Sequence, residues 1–467
     1  MARSNSNSTL IEKTKWGMEA LWAEVHAIST GLGTALRSGA VVHGGGVKGK
    51  AKLARSIACW GFTAARQVWY SAQAAPDRLA IIDDMGEVTY RKLCDDSMAL
   101  ARALQAKGIA RGSRIGVMAR NSRVMIYLLA AKGFIGADIF LLNVASSATQ
   151  LRNSIEEHNF DVLFLDEEFM GLLPQDIPGC AVYTAHAEDV YNPQVPNPAR
   201  VTFQELIDRA PGKSEERLPI RPTPSKIIIM SSGTSGTPKG VLHREPLIPT
   251  PLADIVTQIP WRAEITVQLT ASLFHSWGWA MLNILLAHRA TAVLRREFDP
   301  EQAMKDVKNH KVAGIITSPI FMKDQLEVAR AENCSTDHVE FIVSSGNAMT
   351  EDLVRGLQNT FGSVVCNFYG STENSAVAIA NPQQMQEDPR MAGTPVRGVR
   401  VKILDDDDNV LPPNTPGRIF ARGSMTMRKY TNSRDKMLER HGLLAVGDRG
   451  YFCLLYTSDA ADDLQPV

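Results

Sequence analysis

Between Ser231 and Gly240 the chain reads SSGTSGTPKG, directly after the apolar run Ile227 to Met230. Glycines let backbone N–H groups approach an anion closely, and the Ser and Thr hydroxyls add further donors. Lys239 supplies a single compact positive charge on a long stem. That composition suits the cradling of phosphate oxygens. The string is not a Walker A loop, because Pro238 stands where the second glycine is required and Gly240 follows the lysine. It is not a nucleophile elbow either, since Gly233-Thr234-Ser235-Gly236-Thr237 lacks the closing glycine of GxSxG. Two rival readings remain at this point: amide hydrolysis through Ser231 or Ser232, and a polar surface loop with no chemistry.

Further along, the same loop gains context. It closely resembles the phosphate-binding signature of the adenylate-forming superfamily, which holds acyl-CoA synthetases, adenylation domains and luciferases. SSGNAM (Ser344 to Met349), FYGSTE (Phe368 to Glu373) and VGDRGYF (Val446 to Phe452) follow in the order of that family's motifs. LFHSWG, Leu273 to Gly278, is a fifth match. The resemblance runs from about Ala75 to Phe452. The chain departs from the family at Asn347 and Ala348, where Ala and Pro are usual, and at Ala445-Val446 before Gly447-Asp448.

What the resemblance implies is activation of a carboxylate, whose own leaving group would be oxide. Attack on the α-phosphorus of ATP gives an acyl-adenylate and pyrophosphate, and AMP then leaves readily when a thiol attacks. Crowded phosphates need charge neutralisation during this transfer. By resemblance, the phosphate loop comprises Ser231, Ser232, Gly233, Thr234, Ser235, Gly236 and Lys239. Ser232, Thr234, Ser235 and Lys239 would hold the departing β/γ-phosphates. Glu373 would ligate Mg²⁺, a hard ion suited to one carboxylate plus phosphate oxygens. Thr372 would bond the α-phosphate. Tyr369, followed by Gly370 and Ser371, would stack on adenine, with Gly346, Asn347 and Ala348 along its other edge. Asp448 would accept the ribose hydroxyls, as an acceptor-only carboxylate can. Lys239, His275, Thr372 and Glu373 are the residues expected to act in catalysis.

The acid is the next question. Adenylation domains for amino acids carry an aspartate where this chain has His275, and an ammonium buried without a carboxylate is costly. An unaminated acid is therefore expected, with His275 near its carboxylate. The apolar run Ser276 to Ala287 is core by composition, and by resemblance it suggests a hydrophobic tunnel for a medium- or long-chain fatty acid. The expected reaction is ATP-dependent fatty acid:CoA ligation, with fatty acid, ATP and coenzyme A as partners. The alternatives are an acyl-AMP ligase serving a carrier protein, or a non-catalytic nucleotide- or acyl-binding fragment.

Alternating strand and helix patterns must position these residues. Short apolar strands such as LAIID, RIGVMA, FDVLFLD, SKIIIMSS, VAGIITSP and VEFIVSSG are interleaved with helical runs such as PEQAMKDVKNHK. That alternation predicts an α/β fold with largely parallel sheets. By resemblance, it has two parallel-sheet α/β subdomains and a small antiparallel β subdomain after Gly393. Residues 61–452 form the expected AMP-binding domain. Residues 1–60 read as an extension, with helix around Lys15 to Ile28 and a flexible glycine linker at Gly44 to Gly49. The linker string satisfies GxGxxG but lacks the acidic residue a dinucleotide site needs. Residues 453–467 match no family element, so the chain is expected to lack the C-terminal domain, with its lysine, and to be impaired.

The bulk values set the class. A chain of 467 residues, 44% hydrophobic and 21% charged, is ordinary for a globular protein. A formal net charge of +0 gives no field that would draw it to nucleic acid. Six scattered cysteines, without CxxC spacing, predict neither disulfides nor zinc and suit a reducing cytosol. The N-terminus shows no apolar leader, and a cytoplasmic location follows, with peripheral membrane contact and homodimer formation left open. Ile126 to Ala145 is apolar but broken by Lys132, Gly133, Gly136 and Asp138, and reads as buried helix, turn and buried strand. Asp405 to Asp408 reads as a solvated hairpin tip, not a metal cluster.

Overall fold

The computed structural model describes residues 33, 37–40, 46–61, 63–187, 201–222, 225–231, 238–244, 250–332, 334–427, 429–431, 437–453 and 463–466. Among these residues the strands form three sheets. A six-stranded sheet runs Ala181–Thr184, Val162–Leu165, Arg114–Met118, Asp138–Leu141, Lys226–Ser231 and Lys239–Arg244, from one edge to the other. Its first five strands are parallel and the last is antiparallel. Val162–Leu165 is buried at every position, which is why it is a continuous apolar run and not an alternating one.

The nine-stranded sheet is parallel through Leu79–Asp83, Thr291–Val293, Thr266–Leu269, Gly314–Thr317, Phe341–Ser344 and Val365–Ser371. Gly86–Thr89 closes one edge antiparallel, and Ser375–Ala380 with Thr394–Pro395 closes the other. The third sheet is antiparallel: Arg400–Leu404, Gly417–Arg422, Leu443–Cys453 and Glu439–Arg440, with Asp463–Pro466 paired along Gly450–Cys453. The expected fold class is therefore observed. The strand at Asp463–Pro466 falls where the sequence suggested no element.

One hydrophobic cluster draws on both larger sheets, with Ile115, Ile139 and Ile227 from one and Ile81, Val267 and Phe341 from the other. Helices Ala64–Ala74, Tyr90–Ala106, Arg123–Ile135 and Ser276–Ala287 contribute to the same core. Arg123–Ile135 is buried along its whole length and apolar on most sides, with Arg123 paired to Asp83 and Lys132 donating to Ser225 Oγ at 3.0 Å. It stops at Gly136, φ 77°, and the chain turns into Asp138–Leu141. The stretch from Ile126 is thus helix, turn and strand. No described helix is long and apolar enough to cross a membrane.

Two extension readings fare differently. Lys15 to Ile28 lies outside the described residues, as do Gly44 and Gly45. Gly46 to Gly49, expected to be a flexible linker, instead opens the helix Gly46–Trp60. Packing overrides the poor helix propensity of glycine here: Ser56 is buried, and the Trp60 ring lies 5.2 Å from Trp69 and 5.6 Å from Phe134. At Asp405 to Asp408 the chain does turn between strands. Asp405 accepts from Asp407 N and Asn409 N at 2.9 and 2.8 Å, and Asp408 pairs with Arg418 at 2.8 Å.

Candidate active site

Three strand ends of the nine-stranded sheet build one wall of the site. Val365–Ser371 is its last parallel strand, and the chain reverses through Thr372, Glu373 and Asn374 into Ser375–Ala380. A Cβ on Gly370 would overlap the Ser375 carbonyl, so this tight reversal needs glycine. Phe341–Ser344 ends at Ser345, Gly346 and Asn347, before Thr350 caps the helix Glu351–Phe361 by accepting from Leu353 N at 3.3 Å. Beyond Thr266–Leu269, His275 stands at the N-cap of the helix Ser276–Ala287.

These ends share a cavity of about 650 Å³. Its polar lining includes His275, Asn347, Ser371, Thr372, Glu373 and Asp448, with Gly346 and Gly370 as backbone. Its apolar lining includes Ile255, Trp277, Trp279, Ala280, Phe321 and Phe368. Trp277 and Phe368 lie 4.6 Å apart between ring centroids, and Trp277 Nε1 donates to the Thr317 carbonyl at 3.0 Å, which fixes the indole.

Asp448 comes from the middle of Leu443–Cys453, in the antiparallel sheet. Tyr369 Oη donates to its Oδ2 at 2.8 Å. Burial, reinforced by the Asp448 charge, pushes the Tyr369 phenol above its usual pKa and keeps it a donor. His275 is exposed along the cleft, but the protein mass around it still lowers its pKa by desolvation. The imidazole is therefore neutral at pH 7. Glu373 accepts from Tyr430 Oη at 3.1 Å through Oε1, while Met427 N donates to the Glu373 carbonyl at 2.7 Å.

On the six-stranded sheet, Ser231 ends one strand and pairs in register with Lys239, which begins the next. The strands on either side of the candidate phosphate loop therefore pair antiparallel, and Lys239 opens a strand where a Walker A lysine would open a helix. Ser232, Gly233, Thr234, Ser235 and Gly236 lie outside the described residues. Lys239 Nζ stands 5.6 Å from the Tyr430 ring centroid. Lys239, Tyr369 and Ala348 are not part of the cavity lining itself. Lys239 connects to Glu373 through Tyr430, and Tyr369 connects to the lining through Asp448.

A family model describing AMP-binding enzymes matches residues 68–431. The chain belongs to the AMP-binding enzyme family. This AMP-binding enzyme is 24% identical over 381 residues to indoleacetate–CoA ligase of Aromatoleum aromaticum, covering 80% of this chain and 73% of that protein. It is 24% identical over 397 residues to the fatty acid–[acyl-carrier-protein] ligase ScoC of Streptomyces coeruleorubidus, covering 82% and 73%. Among solved structures it resembles the anthranilate CoA ligase AuaEII in complex with anthranoyl-AMP. The TM-score is 0.74 at 18% identity, over 87% of this chain and 78% of that one.

Donor chemistry decides what this AMP-binding enzyme can hold. No described group of three or more His, Cys, Asp or Glu side chains could bind a metal ion. A Mg²⁺ at Glu373 would therefore be held by one carboxylate together with nucleotide oxygens and water, a set that suits this ion. Tyr430 is a site residue that the sequence does not point to, and the bulk of Trp277 is unmarked. Trp277 belongs to the run expected to line an acyl tunnel, but as an apolar run that stretch gave no sign of a bulky aromatic wall at Trp277. Tyr430 lies in a stretch with neither periodicity nor motif, and no local signal marks it.

Proposed function

We propose that this chain catalyses ATP-dependent activation of a compact aromatic carboxylic acid and passes the acyl group to coenzyme A. One carboxylate oxygen attacks the α-phosphorus, and the bond to pyrophosphate breaks. The thiol of coenzyme A then attacks the acyl carbon, and AMP leaves with the bonding electrons. The observation that carries this reading is a single cavity lined by Thr372, Glu373, Asn347 and Asp448 and also by Trp277 and Phe368, whose ring centroids lie 4.6 Å apart at a tilt of 36°.

Each residue has a task in it. Lys239 neutralises the departing phosphates, and Glu373 holds Mg²⁺, which would supply charge neutralisation at the phosphate oxygens. Thr372 bonds the α-phosphate, and Asp448 receives the ribose hydroxyls. Tyr369, Gly346, Asn347 and Ala348 flank the adenine. Neutral His275 faces the acid's carboxylate without adding a competing charge. Glu373 and Asp448 are the carboxylates among the lining residues, and both are assigned to the nucleotide, so an ammonium on the acid would have no partner.

The aromatic wall, with the likeness to an indoleacetate ligase, favours an aryl acid over the fatty acid expected from sequence. A fatty acid is the second reading, supported by the likeness to ScoC. A panel of acids assayed for acid-dependent ATP–pyrophosphate exchange separates the two. Benzoate- and indoleacetate-type acids are expected to outperform octanoate and palmitate, and the reverse order would overturn the aryl assignment. Exchange with no acid of either class would count against adenylation itself.

A further inference from the structure

The chain between Met425 and Thr431 touches both halves of the nucleotide site. Ser375 Oγ donates to the Met425 carbonyl at 3.0 Å, and Met427 N donates to the Glu373 carbonyl at 2.7 Å. Further on, Thr431 N donates to the Gly240 carbonyl at 2.8 Å, and Tyr430 bridges antiparallel to Val241. This strap therefore leads from the turn that carries Glu373 to the edge of the strand that begins with Lys239. Gly240 belongs to the same arrangement. A Cβ there would overlap the Thr431 hydroxyl, so the glycine after the lysine lets the strap dock.

Tyr430 sits at the junction, with its hydroxyl 3.1 Å from Glu373 Oε1 and its ring centroid 5.6 Å from Lys239 Nζ. That second distance is within the range where an aromatic face attracts an ammonium. A phenol that contacts both gives the carboxylate a donor and the ammonium a π face.

We propose that Tyr430 is a positioning residue that sets Glu373 and Lys239 as one unit, the carboxylate toward a divalent cation and the ammonium toward the nucleotide phosphates. The proposal rests on the reading of this site as one for ATP and Mg²⁺. It separates two effects. Losing the hydroxyl disturbs the carboxylate, and losing the ring disturbs the ammonium as well.

Calorimetry on the full chain with AMP, metal-free ATP and ATP plus Mg²⁺ tests it. Tyr430→Phe should leave AMP and metal-free ATP affinity as in the parent. It should reduce the Mg²⁺-dependent gain in ATP affinity roughly tenfold, the scale of one hydrogen bond to a charged group. Tyr430→Leu should in addition weaken metal-free ATP while sparing AMP. If the parent shows the Mg²⁺ gain and Tyr430→Phe keeps it, the positioning role is wrong. A uniform loss across all three ligands would reveal a merely structural residue and overturn it too. If the parent shows no Mg²⁺ gain, the reading of the site fails instead.

Discussion

The Tyr369 hydroxyl donates to Asp448 Oδ2 across 2.8 Å, tying the last parallel strand of the nine-stranded sheet to the antiparallel sheet. The bond orients a carboxylate that is otherwise exposed at the mouth of the cavity. With one oxygen engaged by the phenol, the carboxylate retains acceptor capacity for a ribose hydroxyl. Asp448→Asn removes the charge and adds unwanted donors. AMP affinity should fall roughly ten- to hundredfold, as expected for hydrogen bonds to a charged group. Calorimetry with AMP and 2′-deoxy-AMP checks the cause. The parent should prefer AMP, and the variant should discriminate much less.

Lys239 offers a different contrast. In the proposed reading its charge would meet phosphates that ATP has and AMP lacks. Lys239→Ala should weaken metal-free ATP about tenfold, on the scale of a charge-assisted contact, while AMP binding barely moves. An equal loss for both nucleotides would remove Lys239 from the phosphate site.

Trp277 tests the acyl end. Its indole is pinned by the Thr317 carbonyl and lies against Phe368, so it cannot swing aside for a longer acid. Trp277→Ala opens that wall. Each methylene newly buried is worth about 0.8 kcal/mol, so a few of them shift preference more than tenfold. Competition between benzoyl and decanoyl adenylate analogues is expected to favour benzoyl in the parent and decanoyl in the variant. A parent that already prefers decanoyl would sink the aromatic-wall argument.

Much of this architecture can be read along the chain because it is local. Ile227 to Met230 and Gly314 to Thr317 are apolar runs with no alternation, and both are strands buried in parallel sheets. The FYGSTE and SSGNAM segments stand out because a strand-end turn that must sit close to other groups demands small residues. What escapes is what depends on distance. Lys239–Arg244 has no alternation of its own and is a strand because Ser231 to Lys226 pairs with it. Helix Gly46–Trp60 is rich in lysine and glycine, and tryptophan packing holds it. Tyr430 meets Glu373 and Lys239 only after two sheets come together, so neither contact leaves a trace in its neighbouring residues.

Acid sensitivity follows from buried histidines: His158, like His243 and His288, is pushed down to about 4 by burial. Burial pushes His243 down to about 4, only partly opposed by a hydrogen bond with the Thr372 backbone. Burial also pushes His288 down to about 4, against the opposing effect of the Ile284 carbonyl. His288 Nδ1 must donate to that carbonyl at 2.9 Å, and in the neutral ring Nε2 then accepts from Ser38 Oγ at 3.0 Å. The unfolded chain takes up protons near pH 6.5 that the folded protein refuses. Stability is therefore fully present above about 6.5 and is lost as the pH falls toward 4. Each group contributes at most about 3 kcal/mol across that window, taking 1.36 kcal/mol per pKa unit. Ordinary carboxylates titrate lower, so the loss between pH 6.5 and 5 belongs to histidines. Thermal melts at pH 7.5, 6 and 5 should show Tm falling stepwise, with a shallower fall in His288→Gln. A melting temperature flat over this range would mean that none of these rings is held neutral in the folded protein.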